Sequence, residues 1–591
     1  MTFPRCAVAT IAACLLAASI SVVRADDDGK SAVHLLPGST VAYAEIEQPK
    51  ELLDVLLTHP LRTHLENLDP YKQAVQSQKY IAFRSIVAGI ESQIGMKWDE
   101  AVGALTEGGI SVAFDPKTEG IAIIVRARDE AALEKLRDAF LKLARDEAKR
   151  QGNPDPIKTG EYRGITAYSL GEAKFATFGS WLVYVSDDEL GKLVVDSYLD
   201  GSESSLADNE RFQQARKLQN GKSTLWAYLD IGALRDGGAV EGLTQEKVDN
   251  PGAELLAGGI LENLQHTPFV VASMTIAREG LGVSVATPHK TEWVTERREY
   301  FFGPHGEGAA PPLLAPPETL LALSIYRDFS QMWLRSADLY GESVDAGLAQ
   351  ANSNLSTFFG GKDFGEDILG AFKPGLQFVA TRQQFDASVP VPAIKLPAFA
   401  LVFRFKDADN APSDFRRTFQ SLIGFLNVLG AMNGQPQLDL DIEKGEGTQV
   451  VSATYLPEDA QRDPGKAPIN FNFSPSVGFV GDRFIIASTK QLARNLVAAT
   501  KDSDDVRAAG PRSNFAFNLQ AAVLRKVLDD NRKQLVAQNM LEEGRDREEA
   551  EQQIGLLLDA VALLKNLHLR LETDEDALRL SVELNLARQP E

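Results

Sequence analysis

Three motifs recur in the same order in the front and back of the 591-residue chain, and ordered recurrence constrains architecture more than any single local propensity. The first pair is Pro37-Gly38-Ser39-Thr40, running into Val41–Ile46, and Pro316-Pro317-Glu318-Thr319, running into Leu320–Ile325. In both, proline opens a turn and a short apolar run reads as a strand. The second pair is Gly103–Ala113 and Gly370–Ala380, matched with one gap. Each reads as a helix ending at glycine, which accepts a left-handed cap without strain, followed by a strand. The third pair is Gly179–Ser186 with Asp187-Asp188-Glu189, and Gly481–Ser488 with Thr489-Lys490-Gln491. Hairpin turn, strand and S-x-x-[EQ] follow one another, so Ser186 and Ser488 are expected to cap helices.

Both halves also close on a hairpin, Phe269–Ala277 with Leu281–Ala286 and Leu567–Glu572 with Ala577–Leu586. The expected organisation is two similar units, 31–295 and 313–591, joined by a Gly- and Pro-rich linker at 296–312. Within each, the order reads strand, two helices, hairpin, helix, three strands, helix, strand, helix, closing hairpin. Alternating runs such as Gly120–Arg126 are followed by amphipathic helices such as Asp129–Arg150, whose Leu133, Leu136, Phe140 and Leu143 share a face. Short connections between successive strands make them antiparallel. The expected class is therefore α+β, a mainly antiparallel sheet with packed helices in each unit.

Residues 1–25 read as a signal peptide: Arg5, an apolar run from Cys6 to Val23, then Val23-Arg24-Ala25 ahead of an acidic tail at 26–30. Cleavage after Ala25 removes both cysteines of the chain, Cys6 and Cys14. A thiol-free exported protein suits a periplasmic or extracellular setting. Ile11-Ala12-Ala13-Cys14 offers a second reading as a lipobox, with Cys14 acylated. The apolar run continues through Leu15-Leu16-Ala17-Ala18, which favours cleavage at Ala25. No later segment is apolar enough to span a bilayer, so no membrane span is expected in the mature chain.

A net charge of −21 repels phosphate backbones and argues against nucleic acid as a partner. The motifs that imitate catalytic sites lack their structural context. Asn220-Gly221-Lys222-Ser223-Thr224 resembles the end of a phosphate-binding loop, but Arg216 stands where its first glycine belongs, and a strand follows. Asp363-Phe364-Gly365 stands without the other kinase signatures. Asp439-Leu440-Asp441-Ile442-Glu443 opens like a calcium loop, yet Lys444 and Val450 occupy the positions of its glycine and its glutamate. Asp502-Ser503-Asp504-Asp505 reads as a solvated loop. Seven histidines, His34, His59, His64, His266, His289, His305 and His568, show no metal-binding spacing. Trp181 and Trp226 lie in strand patterns and read as core. No catalytic, cofactor-binding or metal-ligating residue is assigned, and no cofactor is expected.

The segments Leu36–Thr40, Trp98-Asp99-Glu100 and Val125–Asp129 resemble those of a family of secreted bacterial proteins of unknown function, frequent in planctomycete-type bacteria. The resemblance covers the first half best; Trp98 has no counterpart in the second. It implies an exported protein, and as the family has no established activity, no catalytic residue carries over. The sequence therefore favours a non-catalytic envelope protein that binds a macromolecule or an apolar ligand. The alternative is a secreted hydrolase of an envelope or extracellular polymer. Self-association through sheet edges is a further possibility for its partners.

Overall fold

The structure is a computed structural model. It describes residues 31–587, apart from 60, 61, 63–65, 67, 68, 96, 151, 153, 172, 203, 240–246, 386–389, 435, 457–466, 502–511 and 575. The expected signal peptide and acidic tail, both cysteines, His64 and the 502–505 cluster lie outside the described residues.

The chain divides into two compact units, 1–240 with 267–288, and 241–266 with 289–591. The first is built on β1 (Ala42–Ile46), β2 (Ile110–Asp115), β3 (Gly120–Arg126), β4 (Ile157–Tyr162), β5 (Ile165–Leu170), β6 (Ala173–Phe178), β7 (Trp181–Val185), β8 (Leu225–Leu229), β9 (Val270–Ala277) and β10 (Gly280–Pro288). Every pairing is antiparallel, in the order β4-β5-β6-β7-β3-β2-β1-β8-β9-β10. Its helices include α1 (Trp98–Leu105), α2 (Glu130–Arg150) and α3 (Asp188–Asp200). The amphipathic pattern of α2 holds: Leu133, Leu136 and Leu141 are buried against Val125, Phe175 and Leu182 of the sheet. On the other face, α3 sends Leu190 and Val194 into a second core with Tyr43, Ala122, Trp181 and Trp226.

The second unit contains β11 (Thr319–Ile325), β12 (Leu376–Thr381), β13 (Ala398–Arg404), β14 (Leu438–Gly445), β15 (Thr448–Tyr455), β16 (Ser476–Val480), β17 (Arg483–Ala487), β18 (Arg512–Gln520), β19 (Leu564–Thr573) and β20 (Ala577–Leu586). They pair antiparallel as β14-β15-β16-β17-β13-β12-β11-β18-β19-β20, the order of the first unit strand for strand. Its helices include α4 (Pro251–His266), α5 (Ala411–Met432) and α6 (Lys490–Thr500). In both units the α+β class is as expected, with four strands rather than three between the hairpin-following helix and the next one.

Two local expectations change. The helices after β7 and β17 are capped by Asp187 and Thr489, one residue later than the serines. Asp187 accepts from the N–H groups of Glu189 and Leu190 at 2.8 and 3.1 Å, and Thr489 accepts from Leu492 at 3.3 Å. The serines instead extend the sheet. Ser186 donates its N–H to Ile121 O and accepts the Ile121 N–H on Oγ, at 3.0 and 2.8 Å. Ser488 does the same to Phe399, both at 2.8 Å. The 296–312 segment, expected as a linker, groups with the second unit. Arg298, Tyr300, Phe301 and Phe302 are buried in the core of the second unit, and 241–266 groups with that unit as well.

Candidate ligand-binding hollow

Period-two alternation sends the residues of β1, β2, β3, β8 and β9 to two faces. One face is core: Tyr43, Ala113, Ala122, Trp226, Tyr228 and Val271 are all buried. There the Tyr43 hydroxyl donates to Glu45 at 2.7 Å and meets Ser111 Oγ at 3.0 Å. Arg216 pairs with Glu45 and lies 3.9 Å over the Trp226 ring, a cation held by both a carboxylate and a π face. Burial raises the Tyr43 hydroxyl well above its ordinary value, so it stays a neutral donor. These contacts fix β1 against β2 and β8 from behind.

The opposite face carries Ala42, Ala44, Val112, Phe114, Ile121, Ala227, Leu229, Val270 and Ala272, which line an open hollow of about 450 Å³. Val112 and Ile121 are 42% and 45% exposed. The register explains why a hollow forms. Ala44 sits between Val112 and Ala227, and Ala227 pairs with Ala272, so three alanines cross the middle of the sheet in a row. At the same pairings in the second unit, Leu323 sits between Phe378 and Phe517, and Phe517 pairs with Leu569. Side chains of Leu and Phe size stand there where the first unit has methyl groups. Among the described residues, the side chains of this face that line the hollow are all apolar, so what they offer a ligand is contact area.

A charge cluster of the second unit is buried. Glu254 and Glu262 lie two turns apart on α4, and Arg298 reaches both. Its Nε and Nη2 donate to the Glu254 oxygens at 2.8 and 3.0 Å and its Nη1 donates to Glu262. Tyr300 adds its hydroxyl to Glu254 at 2.9 Å. Burial pushes Glu262 up, but bonds from Thr295 and Arg298 and the charge of Arg297 outweigh it and leave the carboxyl below its ordinary range. Nearby, Arg327 lies 3.4 Å over the Phe301 ring and donates to Leu255 O and Asn514 Oδ1 at 2.7 and 2.6 Å. Burial pushes its guanidinium down to about 9, which leaves it a cation at neutral pH. Arg298 and Glu254 have no exposed surface, so the acids meet no substrate. They anchor α4.

The remaining sequence candidates have structural roles. Asp363 caps the turn at Phe364–Ile368, accepting from Glu366 N–H and from Asn352. Asp441 and Glu443 lie on β14 and pair with Lys490 and Arg494 of α6, which occupy the carboxylates that a calcium loop would need. Ser223 and Thr224 lead into β8, as the sequence indicates. Trp181 and Trp226 are core residues. His289 is buried, 2.8 Å from Asn263 Oδ1, and burial lowers its pKa. Among the described residues, no group of three or more His, Cys, Asp or Glu is placed to hold a metal ion. The hollow itself escaped sequence reasoning, because alanine in a strand reads as weak β propensity, not as missing volume.

No family model and no curated protein matches the chain. Solved structures of TP0453 are similar to it in part. Crystal form III gives a TM-score of 0.24 and 9% identity over 44% of this chain and 79% of that one. Crystal form I gives 0.23 and 10% over 45% and 80%.

Proposed function

We propose that this is an exported, non-catalytic protein of the bacterial cell envelope that takes an apolar ligand into the hollow of its first unit. We propose further that its two units arose by duplication, within the secreted family that its N-terminal half resembles. The shared strand order supports duplication, and the arrangement of residues 1–25 supports export. The observation that carries the ligand reading is the row Ala44–Ala227–Ala272, where the second unit has Leu323, Phe517 and Leu569. Its volume lies in the range of small-molecule pockets. A ligand burying on the order of 300 Å² of apolar surface gains about 7.5 kcal/mol before association costs, which points to micromolar or weaker binding.

The test is a fluorescence titration of the purified protein with N-phenyl-1-naphthylamine, an uncharged apolar probe. Wild type is expected to saturate, and the double variant Ala44→Leu/Ala227→Phe, which copies the second unit, to bind at least tenfold more weakly with unchanged far-UV circular dichroism. Equal binding by both proteins, or no saturable binding by wild type, would sink the proposal.

A further inference from the structure

Helix α5 follows the β12–β13 hairpin as α2 follows β2–β3, but the two helices have different surfaces. α2 is charged from Glu130 to Arg150. In α5 the charges end at Arg417, and the next charged residue is Asp439 on β14. The first half of α5 is ordinary: Phe419 and Ile423 are buried against Val451, Ala453 and Val477. Beyond Ile423 the helix is held through Asn427, whose amide donates to Leu438 O and accepts the Leu438 N–H at 2.9 and 2.8 Å. The outward side of these last turns is apolar. Phe425, Val428 and Met432, spaced three and four apart, are 53%, 62% and 78% exposed, and Leu440 and Ile442 of β14 are 39% and 44% exposed.

We infer that this ridge is a lipid-docking surface, which rests against the interfacial zone of an uncharged bilayer with Phe425, Val428 and Met432 inserted. Contiguous apolar surface of this kind marks an interaction site, and helices that lie in a membrane interface bury one such face. Two features select the occupant. The ridge has no charge with which to recruit a charged partner, and the chain's −21 repels anionic surfaces, so the complementary surface is zwitterionic lipid. A second copy fits less well. The hollow beside the start of α5 sets Lys362, Asp367, Asp414 and Arg417 among Phe359, Ile368 and Phe415, so an apolar ridge seated there would desolvate four charged groups.

The experiment is flotation of the full chain with phosphatidylcholine vesicles, comparing wild type with Val428→Glu/Met432→Glu. Both positions are exposed, so the variant is expected to keep its circular dichroism and melting temperature. Wild type should float, the variant's floated fraction should fall at least tenfold, and adding phosphatidylserine should weaken wild-type binding. The inference is overturned if wild type stays at the bottom, if the variant floats equally, or if binding requires phosphatidylserine. It is also overturned if sedimentation velocity shows a dimer that the variant abolishes while wild type fails to float. The probe titration of the first-unit hollow is unaffected by any of these outcomes.

Discussion

Ser186 and Ser488 show how one residue type is legible in sequence while its task is not. Their recurrence marks equivalent places, and S-x-x-[EQ] offers a cap, but the next residue in each case carries a better-placed oxygen. Each serine is left to finish a strand, giving Ile121 or Phe399 the acceptor that the sheet lacks at that point. Ser488→Ala should therefore behave as the loss of a sheet bond and not of a helix cap. Removing Oγ leaves the Phe399 N–H without its acceptor, an expected loss of about 1–3 kcal/mol in urea unfolding. Hydrogen exchange should speed up at Phe399 and leave α6 protected. Enhanced exchange in the first turn of α6 would restore the capping role. The buried charges were invisible to sequence for a different reason. Glu254 and Glu262 look like ordinary helix acids, and their partner Arg298 comes from a stretch whose glycines and prolines suggest a linker.

At the scale of elements, the recurring glycines make the same correction. The expected helix-ending glycine is instead a strand-opening one: α1 ends at Leu105, and Gly109, with φ of 98°, precedes β2, as Gly375, with φ of 113°, precedes β12. A Cβ at Gly109 would lie 3.1 Å from Ile46 O, and one at Gly375 would lie 3.5 Å from Ile325 O, the ends of β1 and β11. The positive φ favours glycine at both positions, and the close approach to Ile46 O adds to it at Gly109. Antiparallel pairing and the amphipathic helices were readable, from short connections and from the period that burial imposes; one strand of the four in each unit was not. The hollow and the ridge were not, since both depend on what fails to cover a face. Helix α4 gives the energetic test at this scale. Arg298→Met strands two carboxylates in a sealed core, and breaking such a pair costs about 3–5 kcal/mol. The urea midpoint should fall accordingly, with α4 amides losing protection; a change under about 1 kcal/mol would mean that the cluster is hydrated.

At the scale of the whole molecule, pH reads out these charges together. Arg494 and Lys490 hold Glu443 down to about 2, and Arg382 holds Asp530 below its ordinary value. Burial raises Asp482, but bonds from Arg404 and Lys373 bring it below the ordinary carboxylate range. A carboxylate lowered by folding adds stability that is complete above its unfolded pKa, near 4, and is lost as pH falls through the folded value. His289, lowered by burial, stabilises the fold above about 6.5 and ceases to do so as protons bind the unfolded chain first. The urea midpoint should thus be flat from pH 8 to 7, ease downward below 6.5, and drop steeply between 4.5 and 2. A midpoint that rises on acidification would contradict these assignments.

The direct trial of the central claim is a methyl-resolved NMR titration of protein labelled at Ala, Ile and Val, with an uncharged long-chain alkyl ligand. Shifts concentrated at Ala42, Ala44, Val112, Ile121, Ala227 and Ala272 are the predicted result. Shifts scattered over the molecule, or centred on methyls of the second unit while these six stay still, would contradict it.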